Sequence, residues 1–190
     1  MALPTTLPVF SGPITKILSV LANPTSGYSA QFAQTITQSP YAGVVVPVTF
    51  DFSGATKSFI REKINIEAYV QANPNIKFPI FVLWGENATP RRPGMVKRAV
   101  FSGEITLGMD MHLSFPKQTA PTDLGINSDC YLDTLFTVLN YPGGPNESTL
   151  LAGPYYYTYS LAVRSRTAAS PSDRGWSQSI GLSMGMMVQT

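Results

Sequence analysis

The chain has 190 residues and a formal net charge of +2, and charged side chains make up only 13% of it. So small a net charge does not by itself imply a polyanionic partner. The low charge comes with 15 glycines and 16 prolines, which is typical of short strands joined by turns and disfavours an α/β enzyme fold. We expect one domain with a substantial core, whose weakly charged surface is partly buried against other copies of the chain.

The single cysteine, Cys130, excludes an intramolecular disulfide and favours a reducing compartment. The first nine residues contain no basic side chain and are interrupted by Pro4 and Pro8, so we do not expect a signal peptide. No apolar run reaches the roughly 18 residues that a membrane span needs. These features predict a soluble protein without a membrane partner.

Residues 1–42 are predicted to form an N-terminal arm. Within it, residues 14–22 have apolar side chains at helical spacing, which predicts a short amphipathic helix. Lys16 is the only charged residue before position 51, so the segment does not resemble a basic arm that binds nucleic acid. Two interpretations stay open: an arm ordered against neighbouring subunits, or an extension packed on its own domain. For an arm, deletion of residues 1–22 should leave the fold intact.

Alternating apolar and polar residues predict strands along the rest of the chain. Residues 43–52 are the first, and residues 55–62 are predicted to form one helical turn before the next strand at 64–70. Residues 78–84 are apolar at almost every position, as expected of a strand covered on both faces. The other candidate strands are 101–107, 109–115, 131–139, 155–166 and 180–188.

These eight candidate strands predict an all-β fold, because several follow one another with no room for a helical crossover. Their number and mixed connections fit an eight-stranded antiparallel jelly-roll sandwich better than an immunoglobulin sandwich, which is nearer ~100 residues long. We therefore predict an arm at 1–42 followed by a jelly-roll shell domain at 43–190. In the strand at 155–166, strict alternation places Arg164 and Arg166 on one face.

Few residues could carry catalytic chemistry. With one histidine and one cysteine, a zinc site of the usual kind is excluded. Asp110, His112 and Cys130 could form a nucleophilic constellation, but no flanking motif supports it, and a polar strand face is the simpler interpretation. No phosphate-binding glycine loop or nucleophile elbow occurs. We expect neither an enzyme nor a bound cofactor or metal.

Basic residues form two groups, one before the strand at 64–70 and one in the proline-bearing loop after residue 90. They could contact nucleic-acid phosphates, which contribute non-specific, salt-sensitive affinity. The alternative is a solvated loop or salt bridges between subunits. These candidate contact residues are Lys57, Arg61, Lys63, Arg91, Arg92, Lys97 and Arg98.

Three segments in the middle of the chain, NPNIKFPIFVLWGENATP, VFSGEITLG and CYLDTLFTVLNYP, resemble segments of the coat proteins of tymoviruses and their relatives, the Tymoviridae. NPNIKFPIFVLWGENATP is similar to their proline-containing turn, tryptophan-bearing strand and closing turn. VFSGEITLG resembles their glycine-bearing strand, and CYLDTLFTVLNYP a later strand of that family. The resemblance covers roughly residues 43–166 and rests on spacing and strand order.

The resemblance implies a capsid protein of a small positive-strand RNA virus, which self-assembles into an icosahedral shell. Its partners would be other copies of itself and, non-specifically, the genomic RNA. It would be assembled in the host cytoplasm and be found in the virion. Two other classes stay open: a phage decoration or head-completion protein, and a carbohydrate-binding or hydrolytic β-sandwich.

Overall fold

The computed structural model describes residues 9–46, 50, 58–90, 102–139, 143–151 and 157–189. Within them lie five α-helices and six strands. The helices are α1 (Ser11–Leu21), α2 (Tyr28–Thr35), α3 (Ile66–Ala72), α4 (Leu124–Leu139) and α5 (Glu147–Leu151). The strands are β1 (Phe59–Ile60), β2 (Ile80–Pro90), β3 (Ser102–Phe115), β4 (Tyr157–Arg166), β5 (Ser170–Ser172) and β6 (Gly175–Gln189).

All six strands belong to one sheet, with the order β1-β2-β3-β6-β4. The short β1 runs parallel to β2, and every other pairing is antiparallel. The two longest strands, β3 and β6, pair along their whole length from Ser102↔Gln189 to Phe115↔Trp176. β4 and β5 lie one after the other along the far edge of β6.

The main core lies between the sheet and helices α1, α2 and α4. Alternate residues of β3, from Ile105 to Phe115, are buried on this side, as are alternate residues of β6 from Ile180 to Val188. Tyr28 of α2 lies at the centre: its hydroxyl donates to the carbonyl oxygen of Tyr131 at 2.8 Å. Its ring also packs edge to face against Phe81 of β2, with ring centroids 5.1 Å apart. Aromatic packing therefore joins two helices to the sheet.

In the part of the chain that the structure describes, the opposite face of the sheet has a hydrophobic cover at one edge only. Ile60, Ile80 and Val82 form a small second core there, and α3 packs on them through residues such as Tyr69 and Val70. The N-terminus of α3 is capped, since the Asn65 side chain accepts a hydrogen bond from the Ala68 amide at 3.1 Å. Beyond this edge, the residues of β3 and β6 on the same face are polar or small, except Met187.

The prediction of an all-β, eight-stranded jelly roll is wrong, because the structure combines one sheet with helices. Residues 131–139 lie in α4 and residues 66–70 in α3, where strands were expected. In α4, Tyr131, Leu135 and Val138 are buried while Asp133 and Thr137 are exposed. This is the spacing of an amphipathic helix. It is hard to recognise in the sequence, because a short, mostly apolar segment fits a strand equally well.

Four predicted strand regions are confirmed. Residues 80–84 lie in β2, residues 157–166 in β4 and residues 180–188 in β6, while the two candidates at 101–107 and 109–115 join into the single strand β3. Residues 59–60 are strand rather than the predicted helical turn. The predicted strand at 43–52 begins with a turn at Gly43, and much of it lies outside the described residues.

The predicted helix at 14–22 is confirmed as α1, and it packs on its own chain. Ile17 and Leu21 are fully buried in the main core, as is Tyr28 of α2. Of the two interpretations of this segment, local packing is the one that the described residues support. The boundary at residue 42 between an arm and a shell domain stays a prediction.

Candidate interaction surface

We call the uncovered part of the sheet, over β3, β6 and β4, the open face. On β3 it carries half-exposed polar side chains, and on β6 mainly serines and glycines, which lie directly opposite them in the register. This face therefore has polar groups but little side-chain bulk. Its members on the two long strands are Glu104, Thr106, Gly108, Asp110, His112, Ser114, Ser177, Ser179, Gly181, Ser183, Gly185 and Met187.

An ion pair crosses the open face. Arg164 of β4 reaches over β6 and β3 to the carboxylate of Glu86 on β2. On the way, its guanidinium donates to the hydroxyl of Ser183 at 3.0 Å. The pair is partly exposed and contributes about 1 kcal/mol or less to stability. Its structural effect is to fix the outer strand relative to the far side of the sheet.

Gly108 makes room for this arrangement. It lies opposite Trp84 in the β2–β3 register, and a Cβ at this position would be 2.3 Å from the indole ring and 2.7 Å from the Glu86 carboxylate. Any larger residue would displace the tryptophan or the ion pair. On the side of α3, the Lys63 ammonium lies 4.9 Å from the centre of the Trp84 ring, a cation–π contact.

His112 and Ser179 form a second polar contact on the open face, with 2.6 Å between Nδ1 and the serine oxygen. Burial lowers the pKa of His112, while Asp110 on the same strand acts in the opposite direction. The imidazole is therefore neutral near pH 7 and makes a neutral hydrogen bond.

The outer strand β4 has a neighbour on one side only among the described residues. Its side chains from Ser160 to Arg166 are exposed or half-exposed, and Val163 exposes 43% of its surface. The two arginines that could protect this edge are held by their own chain: Arg164 pairs with Glu86, and Arg166 pairs with Asp129 of α4 at 2.6 Å. Among the described residues, the outer edge of this strand thus has no pairing partner and little charge in front of it.

Strict alternation fails within β4. The register shifts between Val163 and Ser165, so Arg164 reaches the open face whereas Arg166 reaches α4 on the other side. The prediction that the two arginines share a face is therefore wrong, because a bulge inserts one residue between them. This irregularity also limits the regular, exposed part of β4 to Ser160–Val163, since another shift lies between Thr158 and Ser160.

Two of the seven candidate nucleic-acid contacts lie within the described residues. The guanidinium of Arg61 donates to the Thr15 hydroxyl of α1 at 3.0 Å, and Lys63 lies over Trp84. Each thus has a partner in its own chain, and the partners belong to different elements. The other five, Lys57, Arg91, Arg92, Lys97 and Arg98, lie outside the described residues.

The Asp110, His112 and Cys130 constellation does not have the properties of a nucleophilic site. Cys130 is fully buried in the main core on α4, whereas His112 and Asp110 lie on β3 with side chains on the open face. Burial raises the pKa of the thiol to about 12, and Asp133 contributes in the same direction. Because the thiolate is the reactive form, this cysteine is inert at neutral pH.

Within the described ranges, no cluster of three or more His, Cys, Asp or Glu side chains could hold a metal ion. In the same part of the chain, no helix has both the length and the apolar character that a membrane span requires.

Sequence reasoning missed the cross-sheet ion pair, whose partners are 78 positions apart. The sequence contains the glycine and the tryptophan, but they can be recognised as neighbours only once the register of the two strands is known. Comparison with protein-family models gave no match, and comparison with curated proteins gave none either.

Proposed function

We propose that this chain is a structural subunit of a virus particle that works by binding copies of itself through the free edge of β4. The observation that carries the proposal is an edge strand whose two arginines are both held by intrachain ion pairs. Natural sheets commonly protect an edge with charged side chains, because unpaired backbone groups recruit another strand. Here both arginine side chains bind carboxylates of their own chain and do not protect the edge.

Composition supports the same proposal. Charged residues are only 13% of the chain, which is low for a surface that stays monomeric at high concentration. The open face adds a second area next to the same edge, with few bulky side chains besides Met187 and the Arg164–Glu86 pair that crosses it. A neighbour that pairs with β4 would extend the sheet and continue this face. Strand addition obtains its affinity from main-chain hydrogen bonds and its specificity from flanking side chains.

Of the two viral classes, we favour the head-completion type over the icosahedral coat protein. The coat-protein resemblance implies a jelly roll, and the described residues form a single sheet backed by helices instead. Among the described residues, the sheet ends at β4 on one side and at β1 on the other. If β4 pairs with a different surface of the neighbour, such as its β1 edge, the contact is heterologous, and such contacts close into rings when the rotation between subunits allows it. Contact with genomic RNA stays a prediction, as does a non-enzymatic role.

The test compares two lysine substitutions at equally exposed apolar residues. Val163 in β4 and Leu151 in α5 each expose 43% of their surface. Val163→Lys adds a charge at the strand edge and should shift the purified protein from oligomer to monomer. Leu151→Lys adds the same charge elsewhere and should leave the oligomer intact. Light scattering after size-exclusion chromatography measures the mass, and circular dichroism verifies that both variants are folded.

Particle shape distinguishes the viral classes. Small rings in negative-stain micrographs of the purified protein would support the head-completion type, and hollow icosahedral shells would support the coat protein. A wild-type protein that stays monomeric at high concentration would overturn the proposal. So would an oligomer that Val163→Lys and Leu151→Lys leave equally intact, because the β4 edge would then not be the contact.

A further inference from the structure

A pocket of about 580 Å³ lies at the end of the sheet where β3 ends and β6 begins. Three of its lining residues are basic: Lys77, Lys117 and Arg174. No carboxylate is found among its described lining residues. Within the part of the chain that the structure describes, neither lysine forms an ion pair. A chain with a net charge of only +2 therefore concentrates positive charge at one concave place.

The three cations come from three separate segments. Lys77 precedes β2, Lys117 follows β3, and Arg174 lies in the turn between β5 and β6. The sheet brings these segments together because β2, β3 and β6 are neighbours. All three side chains are exposed, so solvent screens much of the repulsion between them, and an anion bound among them would remove the remainder. This is the arrangement expected of an anion site.

The wall that carries Arg174 is fixed. Its guanidinium donates to the carbonyl oxygen of Pro74 at 2.6 Å and to that of Ile76 at 3.4 Å. An arginine has five N–H donors, so donors remain for a ligand. The next residue, Gly175, has φ of +134°, and a Cβ there would lie 2.0 Å from the carbonyl oxygen of Phe115. Only glycine lets this turn press against the end of β3, which keeps the pocket in shape.

The remaining walls are aromatic and neutral polar. The half-buried Phe78 provides an aromatic side chain, and Ser114 and Gln118 provide a hydroxyl and an amide. Tyr131 also lines the pocket, but it exposes only 5% of its surface and its ring packs against Phe32 in the main core. Volumes of roughly 300 to 1,000 Å³ with apolar walls and a few polar groups are typical of small-molecule sites. A ligand that matches both halves has an anionic group and a flat ring system.

We propose that this pocket binds a nucleotide, with the phosphate on Lys77, Lys117 and Arg174 and the base against Phe78. Arginine and lysine donate charge-assisted hydrogen bonds to phosphate oxygens, which are about twice as strong as neutral ones. Every base has a flat face that can stack on an aromatic ring. The site would therefore recognise the phosphate and accept different bases. The proposal does not depend on self-association through β4.

The test measures binding of three probes to the purified full-length chain by isothermal titration calorimetry at low ionic strength. The probes are adenosine 5′-monophosphate, inorganic phosphate and adenosine. We expect adenosine 5′-monophosphate to bind at one site per chain and more tightly than either of its parts. Lys77→Gln and Lys117→Gln should each weaken it by about tenfold, and the double variant should lose most of the binding.

Arg61→Gln is the matched control, because it removes one positive charge outside the pocket lining. It should leave the affinity unchanged. Both pocket lysines are exposed, so their variants should fold, which circular dichroism verifies. Absence of adenosine 5′-monophosphate binding would overturn the proposal, and an equal loss in Arg61→Gln would show only a general charge effect. The proposal requires that phosphate and base both contribute to binding. It would be refuted if adenosine alone, or inorganic phosphate alone, bound as tightly as the nucleotide.

Discussion

At the scale of single residues, two side chains in this fold have shifted pKa values that can be measured directly. His112 is the only histidine of the chain, and Cys130 is its only cysteine. Each therefore gives a signal that no other residue of its type can obscure. Their shifts have the same main cause, which is burial, but they lie in different parts of the structure.

Stability should fall as the pH drops below about 6.5. Burial lowers the pKa of His112 in the folded protein, so the unfolded chain takes up its proton at a higher pH than the folded chain does. The neutral imidazole thus contributes stability above the unfolded pKa, and this contribution is lost as the pH falls through the folded pKa. Urea unfolding measured between pH 7.5 and 5.5 should show a decreasing free energy of unfolding.

His112→Asn keeps a polar group near Ser179 and removes the titration. Over the same pH range, this variant should show a much flatter free energy of unfolding than the wild type. Carboxylates titrate mainly near pH 4, so they contribute little to this window. A slope that is equal in both proteins would mean that His112 is not the group responsible.

Cys130 should not react with a thiol reagent such as Ellman's reagent while the protein is folded. The residue has no exposed surface, and burial raises its pKa to about 12, so almost no thiolate exists at pH 8. In denaturant, one thiol per chain should react. Fast labelling of the folded protein would show that the helix α4 opens readily, and it would reopen the question of a nucleophilic role.

At the scale of elements, the strands could be predicted where one side chain in two was buried. β3 and β6 show this alternation clearly: except for Met187, the residues on the open face are polar or small, and those between them are buried on the other side. The helices α3 and α4 could not be recognised, because their apolar residues occur in short, dense segments that fit both periods. The sequence of 131–139 alone does not distinguish an amphipathic helix from a strand.

The candidate site depended even more on tertiary structure. The low charge and the glycine-rich sequence of β6 indicated a face open to close approach, and the register confirms that small residues lie there. The free edge of β4 could not be predicted, because strand order is set by pairing between distant segments such as β3 and β6. The basic pocket was missed for the same reason: Lys77, Lys117 and Arg174 are far apart in sequence.

At the scale of the whole molecule, the first helix belongs to the same core as the sheet. α1 contributes Ile14, Ile17, Leu18 and Leu21 to the main core, each with at most 6% of its surface exposed. Burial of one such side chain stabilises a protein by about 1.5 to 3 kcal/mol. The four together are comparable to the total stability of a typical domain, about 5 to 15 kcal/mol. The N-terminal segment is thus part of the structure that the rest of the chain needs.

Deletion of residues 1–22 should therefore abolish cooperative unfolding rather than leave an intact fold. Because a truncation exposes apolar surface and can aggregate, point variants in the full chain are the sharper test. Ile17→Asp places a charge at a fully buried position of α1 and should lower the melting temperature strongly or prevent folding. Ser19→Asp places the same charge on the exposed face of that helix and should change the melting temperature by only a few degrees. A truncated protein that unfolds cooperatively near the wild-type temperature, or an Ile17→Asp variant as stable as Ser19→Asp, would show that α1 is an arm whose packing the rest of the molecule does not require.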